Sequence, residues 1–277
     1  MATPIGNARD ISLRALDVLE SISYMACEHP RRTRLLLTKH NITLENKTFI
    51  QLADGREAKP TDRILTILET GNDVALVSDA GTPLISDPGF PLIQATHTRQ
   101  YSVVPIPGAS AVTTLASVCP IPLNSFRFIG FLDANRKHFK MKISELVNSS
   151  DPTIFYASPK DITKILRAIE EEGSRQRTIF LGREITKMFE SFAVGTVEEL
   201  LLRFDQDLEQ KGEFTMVVEG APDSPANIQL HTLLDELMKT NLRDTDIARI
   251  IGRISPLTRK VIYERIRTLK LKKSDKD

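Results

Sequence analysis

The sequence predicts an α/β protein with two sheet-bearing parts and a helical, basic C-terminal extension. Three observations predict it. Short apolar runs of strand length alternate with longer segments of helical periodicity. Cys119-Pro120-Ile121-Pro122 places two prolines where they stop a helix and stiffen a connection, dividing 1–119 from 120–222. Several apolar runs end abruptly in small, polar and turn-forming residues, and in open α/β sheets ligands bind at such strand ends.

Taken in order, Ala2 to Ile5 is a short apolar start, and Ile11, Leu13, Leu16, Leu19 and Ile22 give Ile11 to Tyr24 helical periodicity. Arg31 to His40 is a second, basic helix. Thr48 to Leu52 reads as a strand, and Thr61 to Thr70 as a helix after the Lys59-Pro60 break. Val74 to Val77 and Ser102 to Val104 read as buried strands, and Ala109 to Val118 as a helix of small residues. Beyond the proline pair, strands are expected at Phe126 to Phe131, Thr153 to Tyr156, Thr178 to Leu181 and Phe214 to Val218. Helices are expected at Lys137 to Val147, Asp161 to Glu172 and Val197 to Leu208. Pro222 to Pro225 is a linker, and helices close the chain over 226–277.

Composition narrows the class. At 277 residues, 41% hydrophobic and 26% charged, the chain is an ordinary globular protein long enough for two cores. No apolar run approaches the ~18 residues a membrane span needs, and Met1-Ala2-Thr3-Pro4 has no signal-peptide pattern. Cys27 and Cys119 read as two reduced thiols, so a cytoplasmic location is expected. Net charge is +1, but 243–277 carries 11 Lys/Arg against 5 Asp/Glu. Such a tail either meets phosphates or is a solvated helical end. Asp246 to Tyr263 also has helix-turn-helix spacing, with Ala248, Gly252 and Ile254 at turn positions.

The usual nucleotide signatures are missing: neither G-x-G-x-x-G nor G-x-x-x-x-G-K-[ST] occurs. The five histidines are scattered without zinc-ligand spacing, so no metal is expected. Three loops remain: Thr3-Pro4-Ile5-Gly6-Asn7, residues 78–89 (Ser-Asp-Ala-Gly-Thr-Pro-Leu-Ile-Ser-Asp-Pro-Gly), and 105–111 (Pro-Ile-Pro-Gly-Ala-Ser-Ala). Each alone is ordinary turn chemistry. Together they suggest one small-molecule site, because small residues let a flat ligand approach the backbone. A fourth segment, Arg183-Glu184-Ile185-Thr186-Lys187, sets charges directly after a strand, either as an ion-pair cluster or as groups for a phosphate or a proton in transfer.

These segments, with Asp10 to Leu16, Gly130-Phe131-Leu132 and Gly212-Glu213, match a known family in order. The chain resembles the ribosomal RNA small subunit methyltransferase I family of the tetrapyrrole methylase superfamily over nearly its whole length. The resemblance implies a two-domain tetrapyrrole-methylase-like (class III methyltransferase) fold with a cleft between the domains. It implies S-adenosylmethionine as cofactor, and as substrate a cytidine 2′-hydroxyl of 16S rRNA in the 30S subunit. A homodimer is implied as well. Pro4, Asp79, Gly81, Thr82, Ser110, Ala111 and Tyr156 would hold the cofactor, with Asp79 near its methionine portion or ribose and Pro4 and Tyr156 against its adenosine. Glu28, Glu184 and Lys187 are the candidates for a base, and Arg31, Arg183 and Lys187 for orienting phosphate or nucleotide. Three departures stand out. Met1 directly precedes Ala2 where the family has an apolar stretch, which implies either a shortened first strand or a misassigned start. Glu28-His29-Pro30-Arg31 stands for Glu-Asp-Thr-Arg, and Asp133 replaces a proline. The superfamily also offers methylation of a tetrapyrrole carbon as an alternative. The C-terminal helices offer another, a ligand-sensing nucleic-acid-binding protein.

Overall fold

The computed structural model describes all residues except 54, 56, 136, 207–210, 222–232, 235, 241, 255–261, 264, 265 and 268–277. Contacts divide the chain into two units, Met1–Gly220 and Ala221–Asp277.

The first unit contains two sheets. The smaller has strand order β2-β1-β3, built from β1 (Tyr24–Cys27), β2 (Thr48–Gln51) and β3 (Val74–Val77), all parallel. Helices cover both faces, as parallel sheets require. On one face Met25, Cys27, Ala75 and Val77 pack with Leu19 of α1 (Leu13–Ser21) and Leu37 of α2 (Pro30–Lys39). On the other, Ala26 and Ile50 pack with Ile64 of α3 (Ala58–Glu69) and Leu92 of α4 (Phe90–Thr98).

Local chemistry explains these boundaries. Ser12 caps α1, its side chain accepting from Ala15 N–H at 3.2 Å. Pro30 sits in the first turn of α2, where its missing N–H costs nothing. Pro60 likewise lies within the first turn of α3, so Lys59-Pro60 falls inside that helix rather than before it.

Two expectations in this half are corrected. The predicted helix through Tyr24 ends at Ser21, and Tyr24 opens β1, the central strand. Ile22 continues the helical apolar period, and the link of Ile22 and Ser23 is too short to interrupt it, so the strand is masked. The predicted buried strand Ser102 to Val104 is irregular and exposed, with Val104 at 66% accessibility. Among the described residues no strand pairs with it. The apolar start is likewise reduced to a single bridge, Thr3 with Gly81.

The larger sheet has order β4-β5-β8-β6-β7, with β4 (Arg127–Phe131), β5 (Thr153–Ala157), β6 (Thr178–Arg183), β7 (Ser191–Thr196) and β8 (Phe214–Val218). Only β4 and β5 run parallel. One face packs on α6 (Phe139–Val147), α7 (Ile162–Glu171) and α8 (Val197–Gln206) around Phe155, Ile165, Leu200 and Met216. Thr196 and Glu199 form a reciprocal capping box at α8: Glu199 N–H donates to Thr196 Oγ1 (3.2 Å), and Thr196 N–H donates to Glu199 Oε2 (2.9 Å).

The opposite face receives α5 (Ala111–Ala116), whose Val112 and Leu115 join Ile154, Phe180 and Val217. Gly182 permits this approach, since a Cβ there would lie 2.6 Å from Leu115 Cδ1. The small-residue helix of the first half is thereby fixed against the second sheet.

In the second unit, α9 (Asp244–Ile254) packs Ile247, Ala248 and Ile251 against Leu234, Ile262 and Ile266. The expected helix-turn-helix is corrected: Ala248, Gly252 and Ile254, its turn positions, lie inside this continuous helix. The linker Pro222 to Pro225 lies outside the described residues. No described helix is long and apolar enough to cross a membrane.

Candidate active site

The three loops singled out in the sequence meet. Thr3 and Gly81 exchange both backbone hydrogen bonds at 3.0 Å in an antiparallel bridge, which sets Ala2 alongside Thr82 and Pro4 alongside Ala80. Thr82 Oγ1 donates to Ala109 O at 3.1 Å, and Ala2 N–H donates to Ile106 O at 3.1 Å. Gly108 is needed for this closeness, because a Cβ would sit 3.0 Å from Ala2 Cβ. Ser110 precedes α5 without a side-chain cap bond. Pro4, Gly81, Thr82, Ser110 and Ala111 therefore share one neighbourhood.

The fourth segment joins it. Asn7 N–H donates to Thr186 Oγ1 (3.1 Å), and a Cβ on Gly6 would lie 2.5 Å from Lys187 Cγ. Lys187 Nζ bridges Glu184 Oε1 (2.9 Å) and Glu213 Oε2 (3.0 Å), while Glu213 N–H donates to Glu184 Oε1 (2.7 Å). Burial opposes charge on Glu184, but Lys187, the Glu213 N–H and Arg183 outweigh it and hold the carboxyl below the usual range. Burial also opposes charge on Lys187, yet its two carboxylate partners raise it above the usual lysine value. Both shifts favour the charged forms, which leaves Glu184 a weak base and Lys187 without a lone pair to take a proton. Arg183 Nε donates to Lys211 O at 2.8 Å, which ties the loop to residues 211–213.

Asp79 follows β3 with a side chain only 6% exposed. Its carboxylate is engaged within the fold. His29 N–H donates to Oδ1 (3.2 Å), His29 Nδ1 lies 2.5 Å from Oδ2, and Arg32 Nη1 donates to Oδ2 (3.1 Å). Arg32 was not among the sequence candidates; its neighbour Arg31 is exposed on the first turn of α2. Glu28, His29 and Asp79 each bring an atom within 4.8 Å of the others. Sequence spacing misses this group because fifty positions separate Asp79 from His29. The Arg32 guanidinium already supplies positive charge to it.

Tyr156 of β5 is half-buried, with ring contacts to Phe128 (5.1 Å) and Phe131 (5.2 Å). Burial and then the charge of Asp87 push its hydroxyl up to about 12. Asp87 thus approaches the second sheet, as does its neighbour: a Cβ on Gly130 would lie 3.3 Å from Ser86 Oγ. Glu57, 8% exposed, anchors this loop by accepting from Gly89 N–H at 2.9 Å. Gly89 has φ +124°, and a Cβ would meet Leu76 and Leu84 side chains at 3.1 and 3.2 Å. Leu84, Ser86, Glu184 and Thr186 also hold positive φ (68°, 70°, 51° and 66°). For leucine and threonine that is a strained conformation, held here in two loops that converge on the site.

Comparison with known proteins decides the family. The family model for tetrapyrrole (corrin/porphyrin) methylases matches residues 2–201. The chain belongs to the tetrapyrrole methylase family. Among the methylases it is 36% identical over 265 residues to the ribosomal RNA small subunit methyltransferase I of Xylella fastidiosa, covering 95% of this chain and 96% of the relative. It is 38% identical to the protein of the same name from Vibrio cholerae, over 95% and 91% of the two chains. Solved methylases share the fold. Cobalt precorrin-4 methyltransferase has TM-score 0.60 at 13% identity, over 79% of this chain and 92% of that one. Uroporphyrin-III C-methyltransferase from Thermus thermophilus has TM-score 0.54 at 17% identity, over 79% and 91%.

Proposed function

We propose that this methylase transfers a methyl group from S-adenosylmethionine to the 2′-hydroxyl of a cytidine in 16S rRNA of the small ribosomal subunit. The supporting observation is the match to proteins named ribosomal RNA small subunit methyltransferase I along 95% of the chain. The tetrapyrrole enzymes resemble it at identities that speak for the fold alone. Exposed Arg31, Arg32 and Arg34 on α2 suit a phosphate-bearing substrate better than a tetrapyrrole. Cytoplasmic action, as a homodimer with its cleft between an N-terminal (1–119) and a C-terminal (120–222) domain, completes the proposal.

S-adenosylmethionine, when bound, supplies a methyl group already activated on a sulfonium. The residues fit such a molecule: the Pro4, Gly81-Thr82 and Ser110-Ala111 segments converge with small side chains, and Tyr156 offers a half-buried ring. Backbone groups of these loops hold the cofactor. Asp79 acts chiefly by fixing the His29–Arg32 turn to the cofactor loop, since both its oxygens are occupied there. Arg31, Arg183 and the Glu184–Lys187 pair orient the RNA. The protein's main contribution is then positioning, worth ~7 kcal/mol or more where it is good.

Deleting the gene and mapping 2′-O-methyl groups on 16S rRNA by mass spectrometry tests this reading. Loss of one cytidine modification is expected, and an unaltered pattern overturns it.

A further inference from the structure

We propose that Asp87 accepts the proton of the ribose 2′-hydroxyl during methyl transfer. The inference rests on the proposed function and adds the residue that reading leaves unassigned.

A ribose hydroxyl is a poor nucleophile while it holds its proton, and a carboxylate within reach adds roughly 10² to 10⁴ in rate. Such a carboxylate needs an oxygen with a spare lone pair, at the site, on a rigid support. The other candidate carboxylates are fully engaged, weakly basic or more exposed. Both oxygens of Asp79 are occupied by His29 and Arg32. Glu184 is held charged by Lys187 and the Glu213 N–H. The Glu28 side chain is one-third exposed and has His29 at 3.7 Å.

Asp87 differs on each count. Its Oδ2 is buried without a hydrogen-bond partner. It lines a narrow opening of about 10 Å³, room for a single hydroxyl or water, together with Glu28, Ser78 and the end of β3 at Leu76 and Val77. Ser78, only 6% exposed, lines the same opening with its hydroxyl beside the Asp87 carboxylate. Ser78 serves one side of the carboxylate, and Oδ2 keeps a lone pair for a polar group from outside. Asp87 also stands next to the three converging loops and close enough to Tyr156 of the second sheet to act on its hydroxyl. Its support is rigid: Glu57 fixes Gly89, and Ile85 N–H donates to Thr82 O.

The electrostatics agree. Burial lifts Asp87 to about 6, and the negative charges of Glu28 and Asp79 push the same way while the neighbouring Ser78 hydroxyl opposes them. Tyr156 faces it from β5, and His29 and Arg32 lie behind Asp79. A carboxylate so placed is mostly ionised near neutral pH yet more basic than an ordinary one. In the step, the O2′ lone pair forms the bond to the methyl carbon as the carbon–sulfur bond breaks and its electron pair stays on sulfur. The 2′-proton passes to Asp87, which later releases it to water, so the positive charge of the sulfonium leaves as that proton.

The test compares wild type, Asp87→Asn and Asp87→Glu in single-turnover methylation of 30S subunits across pH 5 to 9, with S-adenosylmethionine affinity measured by calorimetry. Carboxyl-carbon NMR on the free protein supplies a readout independent of activity. Expected are a wild-type rate that falls below pH about 6, a 10²-fold or greater loss in Asp87→Asn, and affinity within about threefold of wild type. The NMR titration of Asp87 should sit well above that of exposed aspartates. An Asp87→Asn rate within threefold of wild type, or a titration near 4, overturns the assignment. Should Asp87→Asn fail to fold, Asp87→Glu and the NMR midpoint decide: Asp87→Glu keeps a carboxylate and should keep a rate that falls at low pH, and a rate in it that does not fall at low pH overturns the assignment. A wild type that methylates no 30S subunit refutes the proposed function instead.

Discussion

Replacing Asp87 by asparagine should stabilise the protein while disabling it. The folded-state pKa of Asp87 is raised from the ordinary 3.8 to about 6, chiefly by burial. The fold therefore prefers the protonated acid. That preference contributes fully below pH 4, is lost as pH rises from about 4 to 6, and leaves a penalty above 6. About two units at 1.36 kcal/mol each gives an upper bound near 3 kcal/mol. Asp87 is only partly buried, so solvent screening reduces this to ~1 to 1.5 kcal/mol. Asparagine has nearly the same shape and no charge, so the penalty vanishes. At 2–4 °C per kcal/mol for a body of this size, the melting temperature at pH 8 should rise by roughly 3–5 °C. The gap should close at pH 4. Thermal unfolding of both proteins by circular dichroism at pH 4, 6 and 8 measures it. A variant no more stable at pH 8, or equally stabilised at pH 4, would refute a charge-burial origin. Stability surrendered at one residue for activity is a recurrent cost of functional sites.

Other perturbations follow from the same geometry. Asp79→Ala removes the acceptor shared by His29 and Arg32 and should weaken S-adenosylmethionine binding; calorimetry returning wild-type affinity removes Asp79 from the account. Thr196→Ala breaks the α8 capping box and should cost about 1 kcal/mol in denaturant unfolding, with cofactor affinity unchanged. Gly182→Ala forces a Cβ against Leu115 and Ile185 and should destabilise by roughly 1–3 kcal/mol. Lys187→Met strips Glu184 and Glu213 of their shared cation, so the Glu184 titration should move upward by carboxyl NMR, while an unmoved midpoint contradicts the pairing.

Much of this was legible in the residues. The run Val74 to Val77 followed by Ser78-Asp79 is a buried strand ending at the site, and the small residues of 105–111 lie against 2–5 and 79–82 as their character suggested. β1 escaped because only Ile22 and Ser23 separate Tyr24–Cys27 from α1, too short a link to break the helical apolar period. β7 and α4 were not anticipated either: Phe192 and Val194 alternate on an exposed edge strand, and Phe90-Pro91 does not announce a helix. Ser102 to Val104 misled because a β-branched pair reads as a strand whether or not a neighbour exists to pair with it. Arg32 and Asp87 are long-range matters. Nothing adjacent in sequence shows that Arg32 rather than Arg31 meets Asp79, or that Asp87 in a Ser-Asp-Pro-Gly turn is buried beside Ser78. Asx turns make such a segment look purely structural.

The central claim is methyl transfer to ribosomal RNA by this chain's own loops. The most direct measurement incubates purified protein with methyl-labelled S-adenosylmethionine and either 30S subunits or naked 16S rRNA, then locates the label by mass spectrometry. The account predicts label on one cytidine 2′-oxygen, favoured in the assembled subunit. Label on no RNA, or on a tetrapyrrole offered in its place, contradicts it.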